Sequence, residues 1–317
     1  MTSLDLLSIG RVSVDLYAEQ IGVSMNEVTT FRKSVGGTAT NVAVATARYG
    51  HHAAVATRVG DDQFGRYIAH ALEHTFGVDP RFVATHPHLK TPLAFAELDP
   101  PEDPTIIFYR EPAAPDMEIE VTPELEAAAR DATIFWVPAS RFAFEKSNET
   151  VKALLDHRGR RAHTVLDLDW RPMFWPSEEL ARERISPIVD QVTIAVGNRK
   201  ECEVVVGTSD PDLAADRLLE RGVEAAIVKL GADGVMVATA DGVRERVAPY
   251  PVPVVCGLGA GDAFGGALCH GLLEHWDLPR TIRYANAAGA IVAGRLTCAD
   301  DMPTTAEVDA FLAERAR

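Results

Sequence analysis

From about Leu125 onward, the chain alternates between short apolar runs and longer segments with the apolar spacing of helices. The apolar runs predict strands at Ile134–Val137, Thr164–Asp167, Val192–Val196, Ala225–Lys229 and Gly234–Thr239. The longer segments predict helices at Lys146–Asp156, Glu178–Val189, Pro211–Arg221, Gly261–Glu274 and Leu278–Ala293. Strands that alternate with helices form mostly parallel sheets. The sequence therefore predicts an α/β fold, a doubly wound and mostly parallel sheet with helices on both faces.

The N-terminal part of the chain begins in the same way. Leu4–Ile9 and Ala53–Val59 are apolar runs that predict buried strands. Thr38–Tyr49 is rich in alanine and is followed by a glycine, which is typical of a helix with a glycine at its C-terminus. Phe64–Phe76 also has helical spacing.

Two further stretches, at about 11–35 and 91–111, interleave apolar and polar residues and contain a proline-rich turn at Asp99–Pro104. Half-exposed strands of this kind are typical of antiparallel sheets. We predict that they form a small antiparallel sheet that covers the main one as a lid. No repeat, low-complexity tract or long linker separates the parts, so 1–317 is predicted to be a single domain.

The amino-acid composition restricts the kinds of molecule that the protein is expected to bind. The chain has 31 basic and 46 acidic residues and a formal net charge of −15, which argues against nucleic acid or an anionic membrane surface as the main partner. It does not argue against ATP, whose phosphates are bound by local groups. The N-terminus lacks the features of a signal peptide, and no apolar run is long enough for a transmembrane helix. The four cysteines form no C-x-x-C pair, so reduced thiols and a cytoplasmic location are expected.

The most informative segment is Val254–Cys269, where Gly257, Gly259 and Gly261 precede a predicted helix. Glycines at this point let a ligand approach the helix N-terminus, whose free amides bind anionic oxygens. Asp262 lies in the first turn. It either caps the helix or acts as a general base beside a phosphate, and the segment alone favours neither interpretation.

Two common nucleotide-binding motifs do not fit this segment. The third glycine of G-x-G-x-x-G would fall on Asp262, and the sequence contains no Gly-Lys pair of the kind that a P-loop requires. A nucleotide site here must be of another type.

Five motifs that span nearly the whole chain resemble those of the PfkB/ribokinase family of carbohydrate kinases, in the same order. They are Gly36-Gly37 with Asn41 and the following Val59–Gly65, then Asn198–Glu201, Lys229–Gly234, Gly259–Asp262 and Asn286–Ile291. The resemblance implies a ribokinase-like fold with a small β-sheet lid, ATP and Mg²⁺ as cofactors, and a homodimer formed through the lid.

The resemblance also implies roles for the phosphoryl-transfer residues. Asp262 would take a proton from the sugar hydroxyl, and the amides of Gly259, Ala260 and Gly261 would hold the transferring phosphoryl group. The remaining residues would serve the nucleotide and its metal: Glu201 and Asn198 would position Mg²⁺ through water, Lys229, Gly231 and Gly234 would border the phosphates or ribose, and Asn286 would lie by adenine. The alternative interpretations are that Glu201 lies on a solvated helix face and that Asn286 is a polar residue packed between helices.

For the sugar, the resemblance places Asp15, Gly36, Gly37 and Asn41 in the substrate pocket. The alternatives are that Asp15 is a surface residue of a lid strand and that Asn41 is a polar residue near a helix N-terminus. In ribokinases an Asp-Thr pair before the glycine loop helps to bind a monovalent cation. Cys256 and Gly257 stand in that place here, which argues against potassium activation.

Arg110 and Arg171 resemble residues that bind the substrate carboxylate in family members acting on sugar acids, and arginine suits a planar carboxylate. The alternatives are a solvated lid cation for Arg110 and an ion pair with Asp167 or Asp169 for Arg171. The segments Asp167–Trp175, Gly257–Phe264 and Ala290–Thr304 are most similar to members that phosphorylate 5-dehydro-2-deoxygluconate, in myo-inositol catabolism, to the 6-phosphate.

Other functions stay open at this point. They are a 2-keto-3-deoxygluconate kinase, a kinase of another sugar or a nucleoside, and a non-catalytic sugar- or nucleotide-binding regulator. The last would be expected to lack Asp262 or the magnesium residues, all of which are present.

Overall fold

A computed structural model of the protein describes residues 3–315. In this range the strands are β1 (Leu6–Ile9), β2 (Ser13–Ala18), β3 (Phe31–Gly36), β4 (Ala53–Gly60), β5 (Val83–His86), β6 (Leu93–Glu97), β7 (Thr105–Tyr109), β8 (Ile134–Pro138), β9 (Thr164–Asp167), β10 (Ile194–Asn198), β11 (Ala225–Lys229), β12 (Val235–Thr239) and β13 (Arg244–Val247). The α-helices are α1 (Thr38–Arg48), α2 (Gln63–His70), α3 (Pro123–Asp131), α4 (Glu145–Arg158), α5 (Glu178–Ile185), α6 (Arg199–Val206), α7 (Pro211–Glu220), α8 (Ala260–Leu273), α9 (Leu278–Ala293) and α10 (Thr305–Arg315).

Nine strands form the main sheet in the order β13-β12-β11-β10-β9-β8-β1-β4-β5. Neighbouring strands from β11 to β5 run parallel, and β12 and β13 add an antiparallel edge. Parallel strands are buried on both faces, which explains their nearly continuous apolar sequences. The predicted fold class is confirmed.

The core lies in two layers, one on each face of this sheet. Successive side chains of a strand point to opposite faces, so Leu6 of β1 packs in one layer and Leu7 in the other. Helices α1, α8 and α9 supply the first layer, and α3 to α7 supply the second. Within residues 3–315, no helix is long and apolar enough to cross a membrane.

The second sheet, called the lid sheet below, has the order β3-β2-β6-β7. Its strands fall where the sequence placed them, but the expectation of a wholly antiparallel sheet is wrong, because β2 and β6 pair in parallel. The chain leaves the lid after β3 and returns only after passing through the main sheet. That return works as a crossover connection, which joins parallel strands.

Two predicted helices end earlier than expected. The segment that begins with α2 continues as a single π-helical stretch, Ala71–Thr75, instead of a regular helix. Helix α5 ends at Ile185 and gives way to a 3₁₀ helix at Ser186–Gln191. Proline at position 187 cannot donate a helical hydrogen bond and disfavours helix in the residue before it, which explains the change.

Candidate active site

The carboxyl ends of the central parallel strands meet along one edge of the main sheet. Arg11 lies two residues beyond β1, Asp167 ends β9, and Asn198 and Lys229 end β10 and β11 as paired neighbours. Ligands of open α/β sheets bind at this edge. Helix α8 begins here as well, and the lid sheet supplies the opposite wall.

The N-terminus of α8 forms a tight turn. Gly259 precedes the helix with φ of 79°, in the left-handed region, and a Cβ there would collide with Sγ of Cys298. The first amides of a helix have no partner within it, so those of Ala260 and Gly261 are available to a ligand. Among residues 3–315, no side chain caps this end of α8, and the hydrogen bond that Asp262 accepts comes from Asn41. The interpretation of Asp262 as a helix cap is therefore wrong.

Asp262 instead faces a cleft between α8 and the lid sheet. Its Oδ2 accepts a hydrogen bond from Nδ2 of Asn41 at 2.7 Å. Loss of solvation raises the pKa of Asp262 to about 6, while the hydrogen bond from Asn41 and the charge of Arg171 act in the opposite direction. The carboxyl group thus titrates close to neutral pH, which suits a general base.

Four of the six residues predicted for the sugar line this acceptor cleft, namely Asp15, Gly37, Asn41 and Arg171. Gly259 and Asp262, which were predicted for phosphoryl transfer, line it as well. The cleft has a volume of about 50 Å³ of space open to the centre of a water molecule.

Asp15 is held at the cleft by its own strand. Its carboxylate accepts hydrogen bonds from the hydroxyls of Ser13 at 2.5 Å and Tyr17 at 3.1 Å. Burial raises the pKa of Asp15, against the effect of these bonds. Gly36 lies behind the carboxylate, where a Cβ would collide with it. Asp15 is therefore not the surface residue of the alternative interpretation, and Gly36 makes room for it without lining the cleft.

A second cavity, the nucleotide cavity, lies on the other side of the same helix end and has a volume of about 600 Å³. Its lining brings together the residues predicted for the nucleotide, Lys229, Gly231, Gly234 and Asn286, with Ala260 and Gly261 of the helix end. Nδ2 of Asn286 donates to the carbonyl of Ala248 at 3.0 Å. Glu102, from the proline-rich turn of the lid, also borders this cavity.

Acidic groups surround the end of Lys229. Burial would lower the pKa of this lysine, but the carboxylates of Glu201, Asp167 and Asp262 outweigh it and the pKa is raised. Burial raises the pKa of Asp167, as do the charges of Asp169 and Glu201, against the effect of Lys229. The carboxylates at this site repel one another, so the site is suited to bind a further cation beside Lys229.

Glu201 and Asn198 meet in a reciprocal capping box at the start of α6. Oδ1 of Asn198 accepts from the amide of Glu201 at 2.9 Å, and Oε2 of Glu201 accepts from the amide of Asn198 at 2.6 Å. Glu201 is 8% exposed, so it does not lie on a solvated helix face. The capping box fixes the carboxylate beside the acidic cluster, and its second oxygen remains available to a cation.

The two arginines that were predicted to bind the substrate carboxylate occupy different places in the structure. Arg171 lines the acceptor cleft, with Nε donating to Oδ1 of Asp169 at 2.7 Å. Arg110 does not line the cleft, because its Nη2 donates to Oδ1 of the fully buried Asp116 at 2.6 Å. A buried carboxylate requires a paired cation, which explains this arrangement. The solvated lid cation is also a wrong interpretation of Arg110, which is buried.

The sequence reasoning missed several residues of this region. Arg11, Tyr17, Thr38 and Phe108 line the acceptor cleft, and Asp167 belongs to the acidic cluster. Arg11 had a usable signal, since it follows Gly10 at the carboxyl end of the first predicted strand. Tyr17 and Phe108 had none, because lid strands resemble any half-exposed strand.

A doubly wound sheet, a lid and two cavities that meet at a glycine-rich helix end define an ATP-dependent carbohydrate kinase of the ribokinase fold. The chain belongs to the pfkB family of carbohydrate kinases, whose sequence pattern matches residues 3–305. It is 31% identical to 5-dehydro-2-deoxygluconokinase of Geobacillus kaustophilus (strain HTA426) over 315 residues, which cover 98% of this chain and 93% of that protein.

Two solved structures show the same architecture. A PfkB protein from Polaromonas sp. JS666 has a TM-score of 0.84 and 26% identity, and the match covers 97% of this chain and all of that one. A putative ribokinase II from E. coli, in complex with ATP and Mg²⁺, has a TM-score of 0.86 and 25% identity, with 99% and 100% covered. Such kinases bind ATP with a divalent metal.

Proposed function

We propose that this protein transfers the γ-phosphoryl group of ATP, with Mg²⁺, to a hydroxyl group of the sugar acid 5-dehydro-2-deoxygluconate and forms its 6-phosphate. The position of α8 carries this proposal. Its N-terminus separates the nucleotide cavity from the acceptor cleft, and the carboxylate of Asp262 faces the cleft. A donor phosphate and an acceptor hydroxyl bound in the two cavities meet at this point.

Asp262 acts as the general base in this proposal. It accepts the proton of the sugar hydroxyl as the hydroxyl oxygen attacks the γ-phosphorus, and Asn41 keeps its carboxylate oriented. The amides of Gly259, Ala260 and Gly261 donate to the phosphoryl oxygens, on which negative charge develops. Lys229 borders the nucleotide cavity and neutralises part of the phosphate charge.

Asp15 and Gly37 bind the sugar in this proposal, and Gly231, Gly234 and Asn286 bind the nucleotide. Glu201, and Asn198 through water, hold Mg²⁺, with Asp167 close by. Oxygen ligands and retained waters are what this ion requires. When bound, Mg²⁺ neutralises charge on the β- and γ-phosphates of ATP.

An acidic acceptor is supported by the arginines at the cleft and by the similarity to 5-dehydro-2-deoxygluconokinase of Geobacillus kaustophilus. A 2-keto-3-deoxygluconate kinase is the second candidate, because the same arginines suit any ketodeoxy sugar acid. A regulator without catalysis is disfavoured by the presence of Asp262 and Glu201 at the helix ends. We further propose a single kinase domain over 1–317, a cytoplasmic location and no role for potassium.

Release of ADP tests this function. Purified protein is assayed with ATP and Mg²⁺ on 5-dehydro-2-deoxygluconate, 2-keto-3-deoxygluconate, ribose, fructose and adenosine, and kcat/KM is expected to be highest for the first acid. Asp262→Asn keeps the shape of the side chain but not its basicity, so kcat should fall by about 10²- to 10⁴-fold with an unchanged circular dichroism spectrum. Near-normal turnover by a folded Asp262→Asn protein contradicts the mechanism, and a preference for a neutral sugar contradicts the substrate.

A further inference from the structure

Arg11 is buried, but its guanidinium is only partly paired. The residue is 6% exposed and lines the acceptor cleft. Its Nη2 donates to Oγ1 of Thr38 at 2.9 Å and lies 3.4 Å from Oδ2 of Asp169. Its Nε has no hydrogen-bond partner among the described residues 3–315. An unpartnered buried N–H is costly, and a ligand in the cleft is the available acceptor.

Asp169 holds Arg11 and Arg171 together at the cleft. Its Oδ2 pairs with Arg11 and also accepts from Oγ of Ser140 at 2.6 Å, while Oδ1 accepts from Nε of Arg171 at 2.7 Å. Burial would raise the pKa of Asp169, but Arg171 and Arg11 hold it well below its usual range. Within the described chain, the two Nη groups of Arg171 make no hydrogen bond. The ionised carboxylate of Asp169 thus orients the guanidinium groups of Arg11 and Arg171. Each guanidinium keeps N–H donors that make no hydrogen bond within the described residues.

Aromatic rings restrict Arg11 further. Its guanidinium carbon lies 5.3 Å from the ring centre of Phe174 and 5.8 Å from that of Phe108. Arg110 contacts the same Phe174 ring at 5.2 Å but pairs with Asp116. Contact with the ring faces leaves the edge of the Arg11 guanidinium for in-plane hydrogen bonds, the geometry that a carboxylate requires.

The two arginines belong to a cluster of charged side chains at the cleft. Four arginines, Arg11, Arg110, Arg141 and Arg171, lie in this cluster with the buried aspartates Asp116 and Asp169. Asp15 and Asp262 of the same cleft also interact with Arg11, so this cluster holds four carboxyl groups beside the four arginines, and burial raises the pKa of Asp15 and of Asp262. The Nε of Arg11, unpaired among residues 3–315, and not the net charge of the cluster, is therefore the feature that calls for an anionic acceptor in the cleft.

We propose that Arg11 determines specificity for acidic substrates, and that its guanidinium binds the substrate carboxylate together with Arg171. Arg110 pairs with Asp116 behind the cleft and supports the site without contacting the sugar. This inference rests on the proposed function and names the residues that recognise the acid.

The test compares 5-dehydro-2-deoxygluconate with its C1 amide, which has the same shape but no charge. Wild-type protein is expected to prefer the acid. Arg11→Gln should lower kcat/KM for the acid by about 10- to 100-fold, the effect of losing charge-assisted hydrogen bonds, and should change the value for the amide little. KM for ATP stays the same, because the nucleotide cavity is separate. Arg171→Gln should behave in the same way.

Arg110→Lys is the matched control. It keeps a cation for Asp116, so it should lower Tm but leave the ratio of kcat/KM values for acid and amide unchanged. If Arg11→Gln does not fold, Arg11→Lys keeps the charge and loses the planar fork, and an intermediate ratio is expected.

An unchanged ratio in folded Arg11→Gln or Arg11→Lys overturns the assignment of Arg11, and if the wild type still prefers the acid, the proposed function stands. A wild-type preference for neutral sugars overturns both proposals. The preference of the wild type thus separates failure of the function from failure of this residue assignment.

Discussion

At the scale of single residues, the carboxyl group of Asp262 is partly shielded from water. Its pKa of about 6 lies above the ordinary value of 3.8, with burial as the main cause. Between those two values the folded protein holds a proton that the unfolded chain has released. The contribution of this group to stability is therefore present at low pH and is lost as the pH rises through about 6. The ionised base of the proposed mechanism is thus obtained at a cost in stability.

The same pKa predicts an acid limit to catalysis. Protonated Asp262 cannot accept the proton of the substrate, so kcat at saturating ATP, metal and sugar should fall as the pH drops through about 6. Asn41→Ala removes a hydrogen bond that lowers this pKa, and the acid limb should move to higher pH. Both profiles are measured by ADP release.

The comparison between the two proteins excludes titration of ATP as the cause, because the nucleotide is the same in both assays. An acid limb that stays in place in active Asn41→Ala assigns the titration to a group other than Asp262.

At the scale of elements, the start of α8 requires glycine for two reasons. Gly259 has φ of 79°, a conformation that costs other residues about 1–2 kcal/mol, and a Cβ would also meet Cys298. Gly259→Ala should lower the urea midpoint of unfolding and reduce kcat/KM for ATP, because the helix end that we propose receives the phosphates has to shift.

Gly50→Ala separates these effects. Gly50 has φ of 89°, with no atom near the position of a Cβ among the described residues, so alanine there is strained without a collision. It should lower the midpoint less and leave kcat/KM unchanged. Equal loss of activity in both variants would mean that strain anywhere in the fold, and not the α8 turn, limits catalysis.

Elements with strong local signals were predictable from the sequence. The bounds of β9, β11 and α9 are those the sequence indicated. Both strands are short segments with an apolar centre, and α9 begins after a capping aspartate, Asp277, with proline in its first turn. The edge strand β13, Arg244–Val247, was not predicted, because its sequence is mostly charged and its pairing with β12 decides its structure.

The same distinction applies to the site. The helix-end motif placed Asp262 and the glycines at the start of a helix, as the structure has them, because backbone geometry there follows from local sequence. Local sequence did not indicate which carboxylate each arginine pairs with. Arg110 pairs with Asp116 and Arg11 with Asp169, 158 positions further along the chain, and such choices depend on which carboxylates the tertiary fold buries.

At the scale of the whole molecule, the lid sheet has two apolar faces. Ile106 and Phe108 of β7 line the cleft, while the alternate residues Ile107 and Tyr109 point away from it and are 38% and 63% exposed. The ring of Phe95 lies 5.5 Å from Tyr109 and 5.4 Å from Phe31, on the same outer side. The exposed Ile107 and Tyr109 and the half-buried rings of Phe95 and Phe31 thus form an apolar row on the outer face, which is typical of a protein interface.

We propose that this outer face joins two copies of the chain into a homodimer, each copy covering the apolar row of the other. Tyr109→Asp places a charge in the centre of that contact, where it would be buried without a partner, and the mass measured by sedimentation equilibrium should fall from that of a dimer to that of a monomer. Leu213→Asp is the control, since Leu213 is 42% exposed on α7, away from the lid, and its substitution should leave the mass unchanged. Because the inner face of the same strands lines the cleft, the Tyr109→Asp monomer should also bind the sugar more weakly. A wild-type protein that is monomeric, or a Tyr109→Asp protein that stays dimeric, contradicts this assignment of the lid.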